Sequence, residues 1–446
     1  MFTEIELKNF RCIEYGKINF SKITLLTGAN NSGKSSLINA LLGCLQASDF
    51  PFSFAPNGAN VSLGDFGDII HRHNQDTSFE LNIKVSTPDA GEIQYKTSWV
   101  CEKKTGMPQL SHCKTTSDSF KFSADWDGDF YDIELVTKKK KKSASLEEKE
   151  DAFNQLLAEF EKFFKLDEDG GEGTTIKYKT GDKASLRLKN LSKLNGALLS
   201  KYGSSLNVIE PLRLVSNTFS SLNGGIAFIS PFRHHPERTY YQKGDQAKRI
   251  DKFGDGYVDQ ILNWQYNAHV KFKLLKNKLN KVGIINSLKV SKLSGGRYQL
   301  SIRTTGNKSY VNLVDTGFGV SQFLPVIVAD IQLPKKSLLI LAEPEIHLHP
   351  NAQAKFGDYL VDAIKSSSKN YLIETHSEYL LNRLRLKIVR GDLSPSDVAI
   401  YHFEKVGETS VIHKLVFESN GTITGAPKDF FETYLMDTMN IALEAK

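Results

Sequence analysis

The fold is decided by the stretch ITLLTGANNSGKSSLINALL, residues 23–42. Its first five residues form a compact apolar run that predicts a buried strand and stops at Gly28. After Lys34 the apolar residues recur at helical spacing. Residues 28–35 fit the pattern G-x-x-x-x-G-K-[ST]. The order strand, glycine-rich loop and helix is the setting in which this pattern turns backbone N–H groups toward a phosphate.

Two side chains of the loop are expected to contact the nucleotide and its metal ion. Lys34 is expected to reach the β- and γ-phosphates of a nucleotide, and the Ser35 hydroxyl is expected to bind Mg²⁺. A glycine turn without a ligand would require both residues to be accidental, so we predict a nucleotide site. Its predicted contacts are Asn30, Asn31, Ser32, Gly33, Lys34, Ser35 and Ser36.

One class of nucleotide-binding protein is excluded by a missing motif. Small GTPases carry a base-reading N-K-x-D string. The nearest string in this chain, NKLN at residues 277–280, ends in asparagine and lies within a helical pattern. The nucleotide site therefore belongs to another class of P-loop protein.

Composition and charge narrow the remaining classes. The chain has 446 residues, of which 40% are hydrophobic and 24% charged, which excludes a disordered or collagen-like chain. No apolar run approaches the roughly 18 residues of a membrane helix, and no signal segment opens the sequence. The net charge of +6 permits a nucleic-acid partner without requiring one. The four cysteines lack zinc-type spacing. We expect a soluble cytoplasmic protein with reduced thiols and no membrane partner.

The patterns predict an α/β fold in three regions. Residues 1–136 are expected to form an N-terminal lobe that carries the phosphate loop and, from residue 79 onward, an antiparallel β subdomain. Residues 137–224 are expected to be a mainly helical insertion that opens with the lysine run 138–142. Residues 225–446 are expected to form a C-terminal lobe, in which residues 257–282 read as one long helix.

A second anion site is predicted in the C-terminal lobe. The string DTGFGVSQ, residues 315–322, precedes an apolar helical pattern at residues 323–331. Serine and glycine backbone at a helix start favours an anion. Since one phosphate loop already holds the triphosphate, a second cradle suggests contact with a γ-phosphate bound to another subunit. The predicted contacts are Gly317, Gly319, Ser321 and Gln322.

At this point the chain resembles the ABC-type ATPases, whose signature motif contacts nucleotide in trans. By its letters, LSGGR at residues 293–297 is closer to the usual signature. Alternating residues flank that string, however, and predict a hairpin over residues 288–303. It also lies farther ahead of Glu343 than Ser321 does. We therefore assign the signature to residues 315–322.

The string LLILAEPEIHLHP, residues 338–350, resembles the Walker B and D-loop segment of the OLD-like branch of ABC ATPases. The resemblance implies that Glu343 polarises the attacking water, with Glu345 a second catalytic candidate whose alternative is a surface helix-start residue. The metal-ligand position falls on Ala342, which has no ligating atom. Either Glu343 or Glu345 takes over that task, or the alanine is a substitution that traps ATP. We expect slow or impaired turnover.

Further segments extend the resemblance. His376 resembles the switch histidine that senses the γ-phosphate. Arg11, in the string Asn9-Phe10-Arg11, resembles an arginine of RecF- and SMC-like heads that contacts nucleotide or phosphate, and the alternative is a plain surface arginine. The segment SPFRHHPER, residues 230–238, resembles one in OLD-like defence ATPases, although we derive no role beyond a turn with two arginines. His347 and His349 are interpreted as a subunit-contact loop in preference to a metal cluster. Weak Q-loop candidates are Gln46 and Gln75.

Taken together, the resemblance implies a homodimer or higher homo-oligomer that closes on ATP and Mg²⁺. Too few residues follow His376 for a Toprim-type nuclease domain. We therefore expect the ATPase subunit of a two-component antiphage system of the Septu or PARIS type, which controls a separate nuclease. The alternative is a RecF/SMC-like repair or chromosome-maintenance ATPase that binds DNA directly. A transporter ATPase is a weaker third reading.

Overall fold

The computed structural model describes residues 1–88, 91–137, 176–178, 183–188, 191, 214–215, 218–219, 221–241, 249–304 and 308–427. Contacts divide the chain into two compact units. The first unit comprises residues 1–19, 36–224 and 407–409, and the second comprises residues 20–35, 225–406 and 410–446.

The first unit is built on an antiparallel sheet that has nine strands among the described residues. They are β1 (Phe2–Phe10), β2 (Ile13–Asn19), β4 (Phe79–Thr87), β5 (Gly91–Cys101), β6 (Pro108–Thr116), β7 (Phe120–Trp126), β8 (Tyr131–Thr137), β9 (Ile176–Tyr178) and β10 (Lys183–Leu188). Their order is β2-β1-β4-β5-β6-β7-β8-β10-β9. Buried Phe79 lies opposite buried Trp99 in the β4–β5 register. The antiparallel β subdomain predicted from the period-two alternation is confirmed.

Most of residues 137–224, for which a mainly helical insertion was predicted, lie outside the described residues, as does the lysine run 138–142. Two of the described pieces in this region are the strands β9 and β10. β10 pairs with β8, so this part of the region continues the sheet.

The second unit contains a sheet with the order β11-β16-β17-β3-β18-β19-β20. Its strands are β3 (Ile23–Gly28), β11 (Ile226–Ile229), β16 (Leu338–Ala342), β17 (Asn370–Glu374), β18 (Val398–Val406), β19 (Thr409–Phe417) and β20 (Ile423–Thr424). The pairings from β11 to β18 are parallel. In such a sheet, ligand-binding groups gather at the carboxyl ends of the strands. A smaller sheet consists of β12 (Tyr240–Tyr241), β13 (Ser287–Lys292), β14 (Arg297–Arg303) and β15 (Val311–Asn312).

The strand that leads into the phosphate loop belongs to the second unit. Ile23 on β3 lies opposite Tyr371 on β17 and opposite Val398 on β18. The division by contacts therefore differs from the predicted N-terminal lobe of residues 1–136, because it assigns residues 20–35 to the C-terminal half.

The helices correct two predicted boundaries. The single helix predicted over residues 257–282 is two helices, because Ala268 leaves helical geometry with φ −142° and ψ 61°. The apolar helix predicted from residue 323 begins earlier, at Phe318. The helices are α1 (Lys34–Leu45), α2 (Phe66–Ile69), α3 (Tyr257–Asn267), α4 (His269–Val282), α5 (Phe318–Gln332), α6 (Pro350–Ser367) and α7 (Glu378–Val389).

The string LSGGR lies in the hairpin that the alternation predicts. β13 and β14 pair antiparallel on either side of it, and the turn places Gly295 at φ 71°. No helix follows this string, so it lacks the setting of an anion-binding helix start. Among the described residues, no helix is long and apolar enough to cross a membrane.

Candidate functional site

The phosphate loop closes around its own lysine. Gly28 and Gly33 have φ values of 137° and 102°, which favour glycine. A Cβ on Gly28 would lie 2.2 Å from the Phe403 carbonyl oxygen. Lys34 is 3% exposed, and its Nζ donates to the carbonyl oxygens of Gly28 at 3.0 Å and Ala29 at 2.8 Å. The loop thus has the tightly wrapped backbone that the motif predicts, with a buried ammonium at its centre.

The other predicted loop contacts differ in exposure. Asn30, Asn31 and Ser35 are exposed, whereas Ser32 is buried. Ser36 is also buried and belongs to the first unit. Of the predicted contacts, the asparagines and Ser35 are therefore the ones open to solvent.

Ser35 is hydrogen-bonded to Glu374, a carboxylate that the sequence analysis did not assign to the site. Its hydroxyl donates to both oxygens of Glu374, at 2.8 and 3.0 Å. Glu374 ends β17, which lies beside β3 in the parallel sheet. Burial raises the pKa of Glu374, while the Ser35 hydrogen bond and Lys34 act in the opposite direction. A sequence signal exists, because Glu374 ends an apolar strand two residues before His376.

Glu343 and His376 face each other at the ends of neighbouring strands. Glu343 directly follows β16, and its N–H donates to the Glu374 carbonyl oxygen at 2.8 Å. The Glu343 Oε1 lies 3.9 Å from the His376 Nε2. Burial lowers the pKa of His376, Lys34 lowers it further, and Glu343 opposes both. A carboxylate beside an imidazole is an arrangement that can orient and deprotonate water.

Glu345 has a different setting from the one we weighed for it as a surface helix-start residue. It is buried, and its Oε1 accepts from the Thr375 hydroxyl at 2.6 Å and the His376 N–H at 2.7 Å. Its other oxygen, Oε2, is buried without a hydrogen-bond partner among the described residues. Burial raises the pKa of Glu345. Glu345 therefore holds the segment that carries His376, and the surface interpretation is wrong.

The carboxyl groups of the site outnumber its lysine, so a cation would be favoured there. Burial lowers the pKa of Lys34, while Glu374, Glu343 and Glu345 raise it. One ammonium thus faces three carboxyl groups, and a triphosphate would add further negative charge. Oxygen ligands from one or two protein groups plus substrate phosphates are what Mg²⁺ prefers. No cluster of three or more histidine, cysteine, aspartate or glutamate side chains that could hold a metal ion occurs in the described part of the chain.

The signature prediction requires a correction at its two polar side chains. Because α5 starts at Phe318, Ser321 lies inside the helix, is 1% exposed, and donates its hydroxyl to the Phe318 carbonyl oxygen at 2.8 Å. Gln322 is also buried and donates to the His234 carbonyl oxygen at 3.3 Å. The N-cap of α5 is instead Gly317, which is exposed.

Arg233 joins the start of α5 to the end of β16. Its Nη1 donates to the Gln322 carbonyl oxygen at 3.1 Å. Its Nη2 donates to the carbonyl oxygens of Ala342 at 3.2 Å and Glu343 at 3.1 Å. Burial lowers the pKa of Arg233 to about 10, against the opposing effects of Glu345 and Glu343. Sequence reasoning had given this residue no role beyond a turn.

Three further contacts hold the start of α5. Arg238 forms a bidentate ion pair with Asp315, at 3.0 and 2.6 Å. The Phe318 ring packs edge-on against the His347 ring, with centroids 4.8 Å apart. A Cβ on Gly319 would lie 2.4 Å from the His347 carbonyl oxygen. The start of α5 therefore packs directly on the EPEIHLHP segment.

His349 and Gln46 are hydrogen-bonded to nearby backbone. Arg11 belongs to the first unit, and its backbone N–H donates to the Ile69 carbonyl oxygen at 2.6 Å. His349 caps α6, its Nδ1 accepting from the Asn351 N–H at 3.3 Å. Both ends of the Gln46 amide bond to the backbone of residues 55–61, so it braces a loop of the first unit.

The phosphate loop, the strand-end carboxylates and His376 can be set beside known proteins. A search of curated proteins finds no match. A search of solved structures matches, among others, an SMC head domain from Thermotoga maritima and a Pyrococcus furiosus Smc head domain bound to the C-terminal domain of ScpA. The first has 13% identity, a TM-score of 0.39 and coverage of 93% of this chain and 98% of that one. The second has 12% identity, a TM-score of 0.44 and coverage of 100% and 99%. A family model described as AAA ATPase domain (AAA_15) matches residues 1–381, a span that contains Lys34, Glu343, Glu374 and His376. The chain therefore belongs to the AAA ATPase domain family.

Proposed function

We propose that this ATPase closes into a dimer on ATP and, in that state, holds or activates a separate nuclease in antiphage defence. The observation that carries the ATP-dependent part is the convergence of Lys34, the Ser35–Glu374 pair and the Glu343–His376 pair in the second unit. Lys34 binds the phosphates, and Ser35 offers a hydroxyl to Mg²⁺, which would supply positive charge toward the γ-phosphate. Glu343 takes a proton from the attacking water, and His376 positions it.

The dimer contact that we propose uses the N-terminus of α5 in trans. Gly317 caps this 15-residue helix, is exposed, and a Cβ there would meet no atom within 4 Å. A helix start with exposed N–H groups attracts a γ-phosphate held by another subunit. Because Ser321 is buried, the helix backbone at Gly317 replaces the serine that we first assigned to this contact.

The defence role rests on the two segments that resemble OLD-like ATPases, EPEIHLHP and SPFRHHPER. They meet in the second unit, where Arg233 of one donates to the Glu343 carbonyl oxygen of the other. A change at Glu343 is thereby linked to the start of α5 and to the proposed partner subunit. Such a linkage is what a nucleotide-driven switch requires.

The first experiment measures nucleotide binding and assembly. A fluorescent ATP analogue is titrated into wild type, Lys34→Ala and the matched surface control Lys8→Ala, whose ion pair with Glu80 lies in the first unit. We expect binding by wild type and the control and none by Lys34→Ala. Light scattering with a non-hydrolysable ATP analogue should show a dimer for wild type only when nucleotide is present.

Gly317→Arg tests the trans contact. The arginine finds open space in the single chain at an ordinary φ of −55°, so nucleotide binding should persist while the dimer is lost. A dimer that forms normally would refute the docking through α5. For the defence role, stable co-purification with a nuclease encoded by the neighbouring gene is expected, and its absence in both nucleotide states would refute that role.

A second candidate function is direct DNA binding by a RecF/SMC-like ATPase. It is favoured by the exposed lysines of α4, of which Lys271 and Lys273 are examples. Neutralising phosphates with lysines makes affinity fall steeply with salt. Salt-dependent binding of duplex DNA by the isolated protein, lost in Lys271→Glu/Lys273→Glu, would favour this function over the nuclease-control role.

A further inference from the structure

The β16–β17 register places an acidic residue beside Ala342. Ala342, at the position that the ABC resemblance assigns to the metal ligand, lies directly opposite Glu374 on the neighbouring strand. Glu374 in turn lies opposite Leu26 of β3, just before the phosphate loop. Glu374 is therefore one strand nearer to the phosphate loop than Ala342, at the same level of the sheet.

The side-chain contacts join Glu374 to the loop serine. In P-loop ATPases the metal is held by the loop Ser/Thr and an acid at the end of a neighbouring strand. Glu374 is 4% exposed, and both its oxygens accept the hydrogen bond of Ser35, the loop residue with that task. A buried carboxylate is costly unless a cation accompanies it. The donor set, a hydroxyl and a carboxylate, consists of the oxygen ligands that Mg²⁺ prefers.

The other two carboxyl groups are engaged differently. The Glu345 Oε1 accepts hydrogen bonds from the Thr375 hydroxyl and the His376 N–H, which hold the side chain in that position. Glu343 lies toward His376, 3.9 Å from its ring nitrogen, in the water-activating position. Ser35 is bonded to neither of them in the described contacts, whereas it is bonded to Glu374. The geometry thus separates a metal side from a water side.

We propose that Glu374, in place of a residue on β16, is the carboxylate that holds Mg²⁺ together with Ser35 when nucleotide is bound. The proposal rests on the ATPase function proposed above and deepens it. Ala342 is then not a defect of the site, because the acid is supplied from the adjacent strand.

Metal affinity gives a test that does not depend on turnover. Mn²⁺ binding to the full chain loaded with a non-hydrolysable ATP analogue is measured by electron paramagnetic resonance for wild type, Glu374→Gln and the matched control Glu343→Gln. Nucleotide affinity of each is measured with a fluorescent ATP analogue in EDTA. We expect Glu374→Gln to lose about 10–100-fold in Mn²⁺ affinity, the range seen even for groups behind the metal ligands. Its affinity for nucleotide in EDTA should stay within about twofold of wild type, because Lys34 is intact.

The outcomes separate the two proposals. If Glu374→Gln binds Mn²⁺ as tightly as wild type, the assignment of Glu374 is overturned. It is also overturned if Glu343→Gln loses as much Mn²⁺ affinity as Glu374→Gln. Neither result contradicts ATP binding. Failure of wild type to bind nucleotide in either buffer overturns the ATPase function and this proposal with it. If Glu374→Gln melts far below wild type, Glu374→Asp decides: it keeps the charge but shortens the side chain, so a smaller loss of Mn²⁺ affinity supports the proposal and an unchanged affinity overturns it.

Discussion

Replacing Arg233 with methionine removes a buried guanidinium that donates three hydrogen bonds to the backbone of α5 and of the β16 end. A hydrogen bond to a charged group contributes roughly 1.5–3 kcal/mol. The three bonds share one cation, whose desolvation offsets part of their sum. Losing the guanidinium leaves three carbonyl oxygens without this donor, at about 1–3 kcal/mol for each one left buried and unpaired, so we expect a loss of unfolding free energy of about 3–5 kcal/mol.

Arg238→Met is the control for this variant, since it alters the other arginine of the same segment. Arg238 is exposed and pairs with exposed Asp315, and such pairs contribute little because water screens them. Denaturant unfolding, followed by fluorescence, should shift strongly for Arg233→Met and hardly at all for Arg238→Met. Equal shifts in the two variants, or a loss below about 1 kcal/mol for Arg233→Met, would refute the role assigned to the buried guanidinium.

Two further substitutions probe packing around α5. Asp330→Asn removes the buried charge that accepts from Lys278 at 3.0 Å and Lys369 at 3.2 Å, and we expect a loss of about 3–5 kcal/mol in denaturant unfolding. Burial alone would raise the pKa of Asp330, but the two lysines outweigh it and hold the pKa below its usual value. The stabilisation is therefore complete above about pH 4 and is lost as the pH falls further, so wild type and variant should converge in acid; a constant difference would contradict this. Gly319→Ala should destabilise by about 1–3 kcal/mol, because its Cβ meets the His347 carbonyl oxygen at 2.4 Å, whereas Gly317→Ala, in open space, should melt like wild type.

The sequence predicts the parts of the site that are local in the chain. The strand at residues 23–27, the loop and the helix after Lys34 follow one another within a single motif, and the structure has all three. The hairpin around LSGGR is equally local, since alternation and a glycine turn determine it. Each of these elements is specified by neighbours in sequence, so pattern alone suffices.

Features that depend on distant pairing were not predictable from pattern. Glu374 becomes a partner of Ser35 only because β17 pairs with β3, and no local signal sets that strand order. Ser321 was assigned to an open helix start because its apolar pattern begins at residue 323, yet the helix begins at Phe318 and buries the hydroxyl. The break at Ala268 is likewise invisible, since neither proline nor glycine marks it.

The placement of β3 at the centre of its sheet has a consequence for biosynthesis. Ile23 leaves the ribosome long before its partners Tyr371 and Val398 are synthesised. Pairings between such distant residues form slowly, because a long loop must close first. During synthesis, β3 therefore has no strand to pair with until β17 and β18 are made. The antiparallel strands β4 and β5 of the first unit pair with each other and can form earlier. Nucleotide added to ribosome-bound chains should protect the phosphate loop from proteolysis only after β18 has left the exit tunnel.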